Sequence, residues 1–116
     1  MVTIDSDTAH ALRLFAQRVA QRFEVVSAML YGSRARGTHQ PHSDADVAVI
    51  LRGKRGGQRR LSVTWAMSDI AFDVLLDTKL NISPLVLWSD EWGDPELFSN
   101  PELIHNIRKD GIYIEL

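Results

Sequence analysis

Residues 32–51 read Gly-Ser-Arg-Ala-Arg-Gly-Thr-His-Gln-Pro-His-Ser-Asp-Ala-Asp-Val-Ala-Val-Ile-Leu. A Gly-Ser pair closes one apolar run, and after ten intervening residues Asp44 and Asp46 open a second one. Successive side chains of a strand point to opposite faces of the sheet, so two acids that are two residues apart project to the same side. This stretch therefore predicts two strands joined by a turn, with two carboxylates close together at the start of the second strand.

The acid pair predicts a site for metal-assisted phosphoryl or nucleotidyl transfer. Two like charges so close together repel each other unless a cation lies between them. Asp44 and Asp46 offer only oxygen ligands, which favours a hard ion, with Mg²⁺ as the first choice and Mn²⁺ as the second. Such an ion would bridge the phosphates of a nucleoside triphosphate and neutralise the charge that develops as pyrophosphate leaves.

The turn before the acids has the residue types of a phosphate cradle. Gly32 allows a sharp turn and the close approach of a phosphate, and Ser33 can donate both its hydroxyl and its backbone N–H. Arg34 and Arg36 add positive charge in a planar fork that matches phosphate oxygens. The spacing alone leaves an alternative open, which is a glycine turn followed by a strand with two exposed acids.

The composition is that of one soluble domain. The 116 residues are 45% hydrophobic and 24% charged, enough for a single compact core. The chain has no cysteine, which excludes disulfides, a thiolate nucleophile and a cysteine zinc site. The first residues do not form a secretory signal, and the longest apolar stretch, 80–89, is about half as long as a membrane span. We therefore expect a cytoplasmic protein with no membrane association.

Charge is divided unevenly along the chain. Residues 1–60 hold ten basic and five acidic side chains, whereas residues 61–116 hold three basic and ten acidic ones. Two faces of opposite sign would suit a phosphate-bearing ligand and a basic partner, although a solvated surface is the simpler account of the acidic half. Residues 52–60 hold five basic side chains and three glycines. They predict a mobile loop, either merely solvated or attracting ATP, RNA or an acidic partner.

Hydrophobic periodicity and turn residues predict alternating helices and strands. Helices are expected at 9–23, capped by Ser6 or Asp7, at 33–36 as a single turn, at 61–76 and at 101–110. Strands are expected at 24–31, 44–51 and 80–88, with a terminal strand or tail at 112–116. Pro84 has no N–H to donate, so its strand is expected to lie at an edge or to contain a bulge.

The helix predicted at 61–76 carries two apolar stripes. One consists of Leu61, Trp65, Ser68, Phe72 and Leu75, and the other of Val63, Met67, Ile70 and Val74. A helix with two apolar stripes needs two surfaces to cover it. We expect both stripes in the core, between the sheet and the first helix, with a partner-protein surface as the alternative. The three tryptophans are likewise expected in the core or in a lid.

The long motif resembles that of a known family. Gly32-Ser33, ten residues and then Asp44-x-Asp46, with Arg-Ala-Arg-Gly after the serine and Ser43 before the acids, is similar to the DNA polymerase β nucleotidyltransferase superfamily. More narrowly, the chain resembles the MNT (minimal nucleotidyltransferase) proteins. The likeness extends over nearly the whole chain, including the closing residues 100–112.

The resemblance implies an α/β fold, a small mixed β-sheet flanked by helices, in one minimal nucleotidyltransferase domain over residues 1–116. It implies Mg²⁺ at a catalytic pair formed by Asp44 and Asp46, and ATP held against Gly32 and Ser33. MNT proteins of this length are commonly antitoxins paired with a helical HEPN ribonuclease toxin, and some transfer AMP from ATP to a tyrosine of that toxin. By this likeness the chain would be a protein adenylyltransferase and the antitoxin of a type VII-like system, in a hetero-oligomer with its toxin and without a need for nucleic acid.

One position departs from the family pattern. The superfamily usually places a third carboxylate on the next strand, where this chain reads Lys-Leu-Asn-Ile-Ser-Pro at 79–84. Asn81 is the possible third metal-site position, because its amide oxygen can still bind an ion. It adds no negative charge and cannot accept a proton as a carboxylate would. Asp77 is a possible substitute, although the absence of any third acid is the favoured interpretation.

Two other functions stay open at this point. The chain could be a catalytically weakened antitoxin that neutralises its toxin by binding alone, because the third carboxylate is not evident. The less favoured alternative is nucleotide transfer to a small molecule such as an aminoglycoside. Enzymes of that kind usually carry an additional helical domain for the acceptor.

Overall fold

The computed structural model describes residues 4–54 and 59–116, in which helices and strands alternate. The elements are α1 (Ser6–Ala20), β1 (Val25–Tyr31), α2 (Ser33–Arg36), β2 (Ala45–Leu51), α3 (Arg59–Thr78), β3 (Ile82–Trp88), α4 (Ser89–Gly93), a 3-10 turn (Pro95–Leu97), α5 (Pro101–Asp110) and β4 (Ile112–Tyr113). The predicted helices and strands are confirmed, with ends that differ by a few residues. Within the described ranges, no helix is long and apolar enough to cross a membrane.

The four strands form one mixed sheet in the order β3-β2-β1-β4. Strand β1 runs antiparallel to both β2 and β4, whereas β2 and β3 are parallel. A parallel pair needs a crossover connection, which α3 supplies. Strand β3 is an edge strand, so the position predicted for Pro84 is confirmed. The fold is therefore the α/β arrangement with a small mixed sheet that the family resemblance implied.

Helices cover both faces of the sheet. Helices α1 and α3 pack on one face in a larger core that contains Phe15 and Met67. Helix α5 packs on the other face through Ile104 and Ile107, against Ile50 and its neighbours. Along β2 the odd-numbered residues belong to the first core and the even-numbered residues to the second, as strand alternation requires. The even-numbered Asp46 therefore belongs to the α5 face.

Helix α1 begins earlier than predicted, and its cap is a different residue. The side chain of Asp5 accepts a hydrogen bond from the backbone N–H of Thr8 at 3.0 Å and another from the Thr8 hydroxyl at 2.7 Å. These bonds lower the pKa of the Asp5 carboxyl. The prediction of Ser6 or Asp7 as the cap is wrong, because both residues already lie in the first helical turn.

The prediction that both apolar stripes of α3 are buried is also wrong. Val63, Met67, Ile70 and Val74 are buried as expected. Leu61, Trp65 and Phe72 of the other stripe are instead more than half exposed, from 56% for Phe72 to 65% for Trp65. Leu75 of that stripe is half-buried, and the neighbouring Leu76, which the prediction did not include, is 66% exposed. The reason is that α1 and the sheet share a single core with the first set, so neither covers the opposite side of the helix. Trp65 is consequently not a core residue, whereas Trp88 is buried.

The loop predicted at 52–60 is shorter than expected, because Arg59 and Arg60 begin α3. Residues 55–58, which carry part of that prediction, lie outside the described residues. At the start of the loop, Arg52 forms an exposed ion pair with Glu24 at 3.0 Å. Arg52 and Arg60, at the two ends of the predicted loop, each have a defined partner.

Arg60 connects the start of α3 to the end of β3. Its guanidinium donates to the backbone carbonyl of Val86 and to the carboxylate of Glu91. The same group lies 4.9 Å from the ring centroid of Trp88 and 5.3 Å from that of Phe98. Glu91 is only 1% exposed and also accepts a hydrogen bond from the backbone N–H of Trp88 at 3.0 Å. The buried carboxylate is thus paired and hydrogen-bonded, as burial of a charge requires.

Candidate functional site

A glycine turn at the end of β1 brings the backbone against the carboxylate of Asp46. Gly32 has φ +76° and ψ −155°, a conformation that side chains disfavour. A Cβ at this position would overlap the Oδ2 atom of Asp46. The two residues meet because Tyr31 and Asp46 are register partners in the antiparallel β1–β2 pair. The structure therefore places the predicted turn and the predicted acid side by side.

Helix α2 is a single turn that starts from this glycine. The carbonyl oxygen of Gly32 accepts hydrogen bonds from the N–H groups of Ala35 and Arg36, each at 3.1 Å. Gly37, with φ +76°, ends the turn in the left-handed conformation. Ser33 occupies the first helical position, where a backbone N–H has no acceptor within its own helix. Its backbone N–H is therefore available at the end of β1.

The two arginines predicted to bind nucleotide differ in their surroundings. Arg34 is only 8% exposed. Its Nε donates to the carbonyl oxygen of Ser43 at 2.9 Å, and its terminal nitrogen donates to that of Pro41 at 3.3 Å. Arg34 thus holds the loop that leads to the acid pair. Arg36 is exposed, and its positive charge acts directly on Asp46.

The acid pair is electrostatically coupled. Burial, followed by the negative charge of Asp44, raises the pKa of Asp46, and the charge of Arg36 opposes the increase. Burial and the charge of Asp46 raise the pKa of the neighbouring Tyr31 to about 12. A cation between Asp44 and Asp46 would relieve the repulsion between the two carboxylates.

Strand β3 brings a polar side chain to the same face of the sheet as Asp46. Ser83 is the register partner of Asp46 in the parallel β2–β3 pair, and register partners project to the same face. Asn81 lies just before β3, where its backbone carbonyl oxygen accepts a hydrogen bond from the backbone N–H of Ala45 at 2.9 Å. The sequence predicts Asn81 as the third position, and neither Asn81 nor Ser83 is an acid. Only the pairing register of two distant segments distinguishes them, and no local pattern reveals it.

An open cavity of about 300 Å³ adjoins these residues. Asp44, Asn81, Ser83 and Pro84 line one side, and Ser68, Ala71 and Phe72 of α3 line the other. A larger cavity of about 430 Å³ lies between the start of α1 and the end of α3, and neither acid of the pair lines it. The smaller cavity is therefore the one that the chemistry favours.

Asp77 does not replace the missing third acid. Its Oδ2 atom lies 2.7 Å from the guanidinium of Arg18 on α1, and it lines another cavity with Asp7 and His10. Among residues 4–54 and 59–116, no three His, Cys, Asp or Glu side chains are grouped to hold a metal. The donor set still fits Mg²⁺, because proteins often bind this ion through one or two carboxylates while water and substrate phosphates complete the shell.

Comparison with known proteins gives consistent relationships. Residues 16–114 match the family described as "Polymerase beta, Nucleotidyltransferase". A Methanocaldococcus jannaschii protein named "Putative protein adenylyltransferase" is 35% identical over 75 residues, which is 63% of this chain and 50% of that protein. The chain thus matches half the length of that relative.

A solved structure supports the same fold. It is titled as a "putative nucleotidyltransferase" from Sulfolobus solfataricus and aligns with a TM-score of 0.55 at 18% identity. The alignment covers 97% of this chain and 89% of that one. The common architecture therefore extends over nearly the whole chain, including β3 and α5.

Proposed function

The chain belongs to the polymerase β nucleotidyltransferase family, and from this premise we propose that it transfers AMP from ATP to a hydroxyl group of a partner protein. The observation that carries the proposal is the close approach of Gly32 to Asp46, which puts the glycine turn beside the acid pair. The name of the M. jannaschii relative supports a protein as the acceptor. The resemblance to MNT proteins supports a tyrosine of a HEPN ribonuclease toxin as that acceptor, and a cytoplasmic antitoxin role for this chain.

Each element of the site has a part in the proposed reaction. The backbone at Gly32 and the N–H and hydroxyl of Ser33 bind phosphate oxygens, and the exposed guanidinium of Arg36 adds positive charge. Asp44 and Asp46 hold Mg²⁺, or Mn²⁺ as the second choice. The ion, when bound, supplies charge neutralisation for the triphosphate. Arg34 keeps the preceding loop in place so that the two acids face the turn.

The proposed transfer exchanges a phosphoanhydride bond of ATP for a phosphoester bond to the acceptor. The acceptor oxygen bonds to the α-phosphorus of ATP, the bond from that phosphorus to the bridging oxygen breaks, and pyrophosphate leaves. Asp44 and Asp46 are assigned to the ion, and Ser83 and Asn81 are not bases, so the acceptor's proton passes to water. The side chains of this protein therefore position the reactants and offset charge rather than remove the proton.

Incubation of the purified chain with α-labelled ATP, Mg²⁺ and the product of the neighbouring gene tests this function. We expect label on the partner protein, and none when Asp44→Asn replaces the wild type. A stable complex without label in the wild-type reaction would contradict the proposed transfer. Mass spectrometry of the labelled partner would identify the acceptor residue.

A second candidate is an antitoxin that neutralises its toxin by binding alone. The observation that favours it is the pairing of Asp46 with Ser83, which puts a neutral side chain on β3 beside the acid pair. The two candidates differ in one measurable respect. The binding-only antitoxin would inhibit its toxin equally well without ATP, and Asp44→Asn would leave that inhibition unchanged.

A further inference from the structure

Four apolar side chains of α3 are more than half exposed and are here called the α3 stripe: Leu61, Trp65, Phe72 and Leu76. Their spacings of four, seven and four residues put them on one side of a helix. At 1.5 Å per residue the stripe is about 22 Å long, or roughly four helical turns. Single exposed apolar side chains are ordinary, but an aligned set that includes a tryptophan is typical of an interaction site.

The α3 stripe leads to the candidate site. Near its beginning, Arg60 contacts Val86 at the end of β3. Farther along, Phe72 lines the cavity that also contains Asp44 and Ser83. The helix therefore runs opposite to β3, and its apolar side continues into the wall of the cavity. A protein segment lying along the stripe would have one end close to Asp44.

The edge of the stripe is acidic. Asp69 and Asp73 are exposed beside it, and residues 61–78 of α3 contain no lysine or arginine. A matching surface would therefore be apolar with basic residues along its margin. A second copy of the chain fits less well, because a two-fold pairing of this face would place the same acids from both copies along one seam.

We propose that the α3 stripe docks the protein that receives AMP, through an amphipathic helix with lysine or arginine along its edge. The identity of the docked protein as acceptor rests on the function proposed above. The docked helix extends along Leu61 to Leu76, and the residues next to its end enter the cavity beside Asp44. Affinity for the acceptor thus comes from α3, while the turn at Gly32 binds the nucleotide.

Replacement of Trp65 by serine tests the docking surface, because Trp65 lies outside the group that lines the cavity. We expect Trp65→Ser to weaken the complex with the neighbouring gene product about tenfold or more and to leave ATP affinity unchanged. Tyr113→Ser is the matched control, since Tyr113 is an equally exposed aromatic residue on β4 at the far edge of the sheet. It should leave the complex intact.

Charge is tested with two synthetic helical peptides of 16 residues that share a leucine face and carry either lysine or glutamate along its edges. Fluorescence anisotropy should show tighter binding of the lysine peptide to the wild-type chain. The double substitution Asp69→Lys and Asp73→Lys should reverse this preference, whereas Glu102→Lys on α5 should not. Equal affinity for both peptides, or binding of neither peptide and of no gene product, would overturn the proposal.

The outcomes separate docking from transfer. If the wild type labels the partner and Trp65→Ser labels it equally well, the docking surface is wrong and the proposed transfer stands. A bound but unlabelled partner, released by Trp65→Ser, supports the docking surface and contradicts the transfer. A wild-type dimer that Trp65→Ser converts to a monomer identifies a second copy as the occupant, and the proposal would then be wrong.

Discussion

The Cα atom of Gly32 lies against the carboxylate of Asp46, so close that a methyl group on residue 32 would overlap Oδ2. The register of β1 and β2 fixes this approach, since Tyr31 is paired with Asp46. The glycine therefore has two functions, to adopt a positive φ and to leave room for the acid. Any side chain at residue 32 would compromise both.

Gly32→Ala should reduce both stability and nucleotide affinity. The positive φ and the overlap with Asp46 together should cost about 1 to 3 kcal/mol in the free energy of unfolding, measured in urea. Calorimetric titration should show weaker binding of Mg²⁺-ATP, because the carboxylate must move. Gly93→Ala is the control, since a Cβ there has no neighbour within 4 Å. Unchanged ATP affinity in Gly32→Ala would contradict the assigned cradle.

Asp46→Asn should abolish AMP transfer without loss of stability in the metal-free protein. The folded state raises the pKa of Asp46, so folding disfavours the ionised carboxylate and loses free energy of unfolding. This loss is present at pH 7. It disappears as the pH falls below the pKa of the unfolded chain, about 3.9. The amide removes that cost. Melting curves with and without Mg²⁺-ATP should show an equal or higher midpoint without ligand and no shift on addition of ligand. Asp94→Asn, at an exposed turn, should behave as the wild type.

Ser83→Asp should supply the carboxylate that the family pattern places on this strand. As the register partner of Asp46, it would put a third acid on the same face. We expect stronger Mn²⁺ binding in a calorimetric titration and a lower melting midpoint without metal, because three acids then repel one another. Asn81→Asp is the comparison variant, and its effect on Mn²⁺ affinity should be smaller. A larger effect of Asn81→Asp would move the third position to residue 81.

Arg34→Lys and Arg36→Gln should have different consequences. Lysine at residue 34 cannot reproduce the fork that reaches both Ser43 and Pro41, so stability should fall by about 1 to 2 kcal/mol. Glutamine at the exposed residue 36 should hardly change stability but should weaken ATP binding. Urea denaturation and ATP titration of both variants measure the two effects. A variant of Arg36 with normal ATP affinity would argue against its contact with phosphate.

Glu91→Ala should be the most destabilising of these changes. The substitution leaves the Arg60 guanidinium without its carboxylate partner and removes the acceptor of the hydrogen bond from the Trp88 backbone N–H. Breaking a buried pair costs about 3 kcal/mol or more, and partial exposure of Arg60 places the expected loss at the low end of that range. Glu96→Ala, at an exposed position, should change the free energy of unfolding by less than about 0.5 kcal/mol.

The sequence predicted those parts of the fold that depend on local pattern. Helix α5 is an example, since Pro101 at its start and Gly111 after its end are both local signals. The convergence of the Gly32 turn with Asp46 was likewise predictable, because one short segment contains both. The structure places them together as that segment implied.

Long-range pairing accounts for what the sequence did not reveal. Apolar spacing alone could not show that α1 and the sheet would cover only one stripe of α3. The local pattern predicts Arg60 in a loop, since its partner Glu91 lies 31 residues away and the pairing is not visible in the sequence around it. The choice between Asn81 and Ser83 depends on the β2–β3 register, which no pattern within β3 contains.

The topology has a consequence for how such a site can change over time. The turn and the acid pair come from one contiguous piece of chain, whereas the side chain beside them arrives on a strand brought in by the α3 crossover. A single substitution at residue 83 can therefore alter the charge of the site without altering the backbone that presents Asp44 and Asp46. The proposed docking surface lies on the outer side of α3, so a substitution at residue 83 changes the charge beside the acids and leaves that surface unchanged.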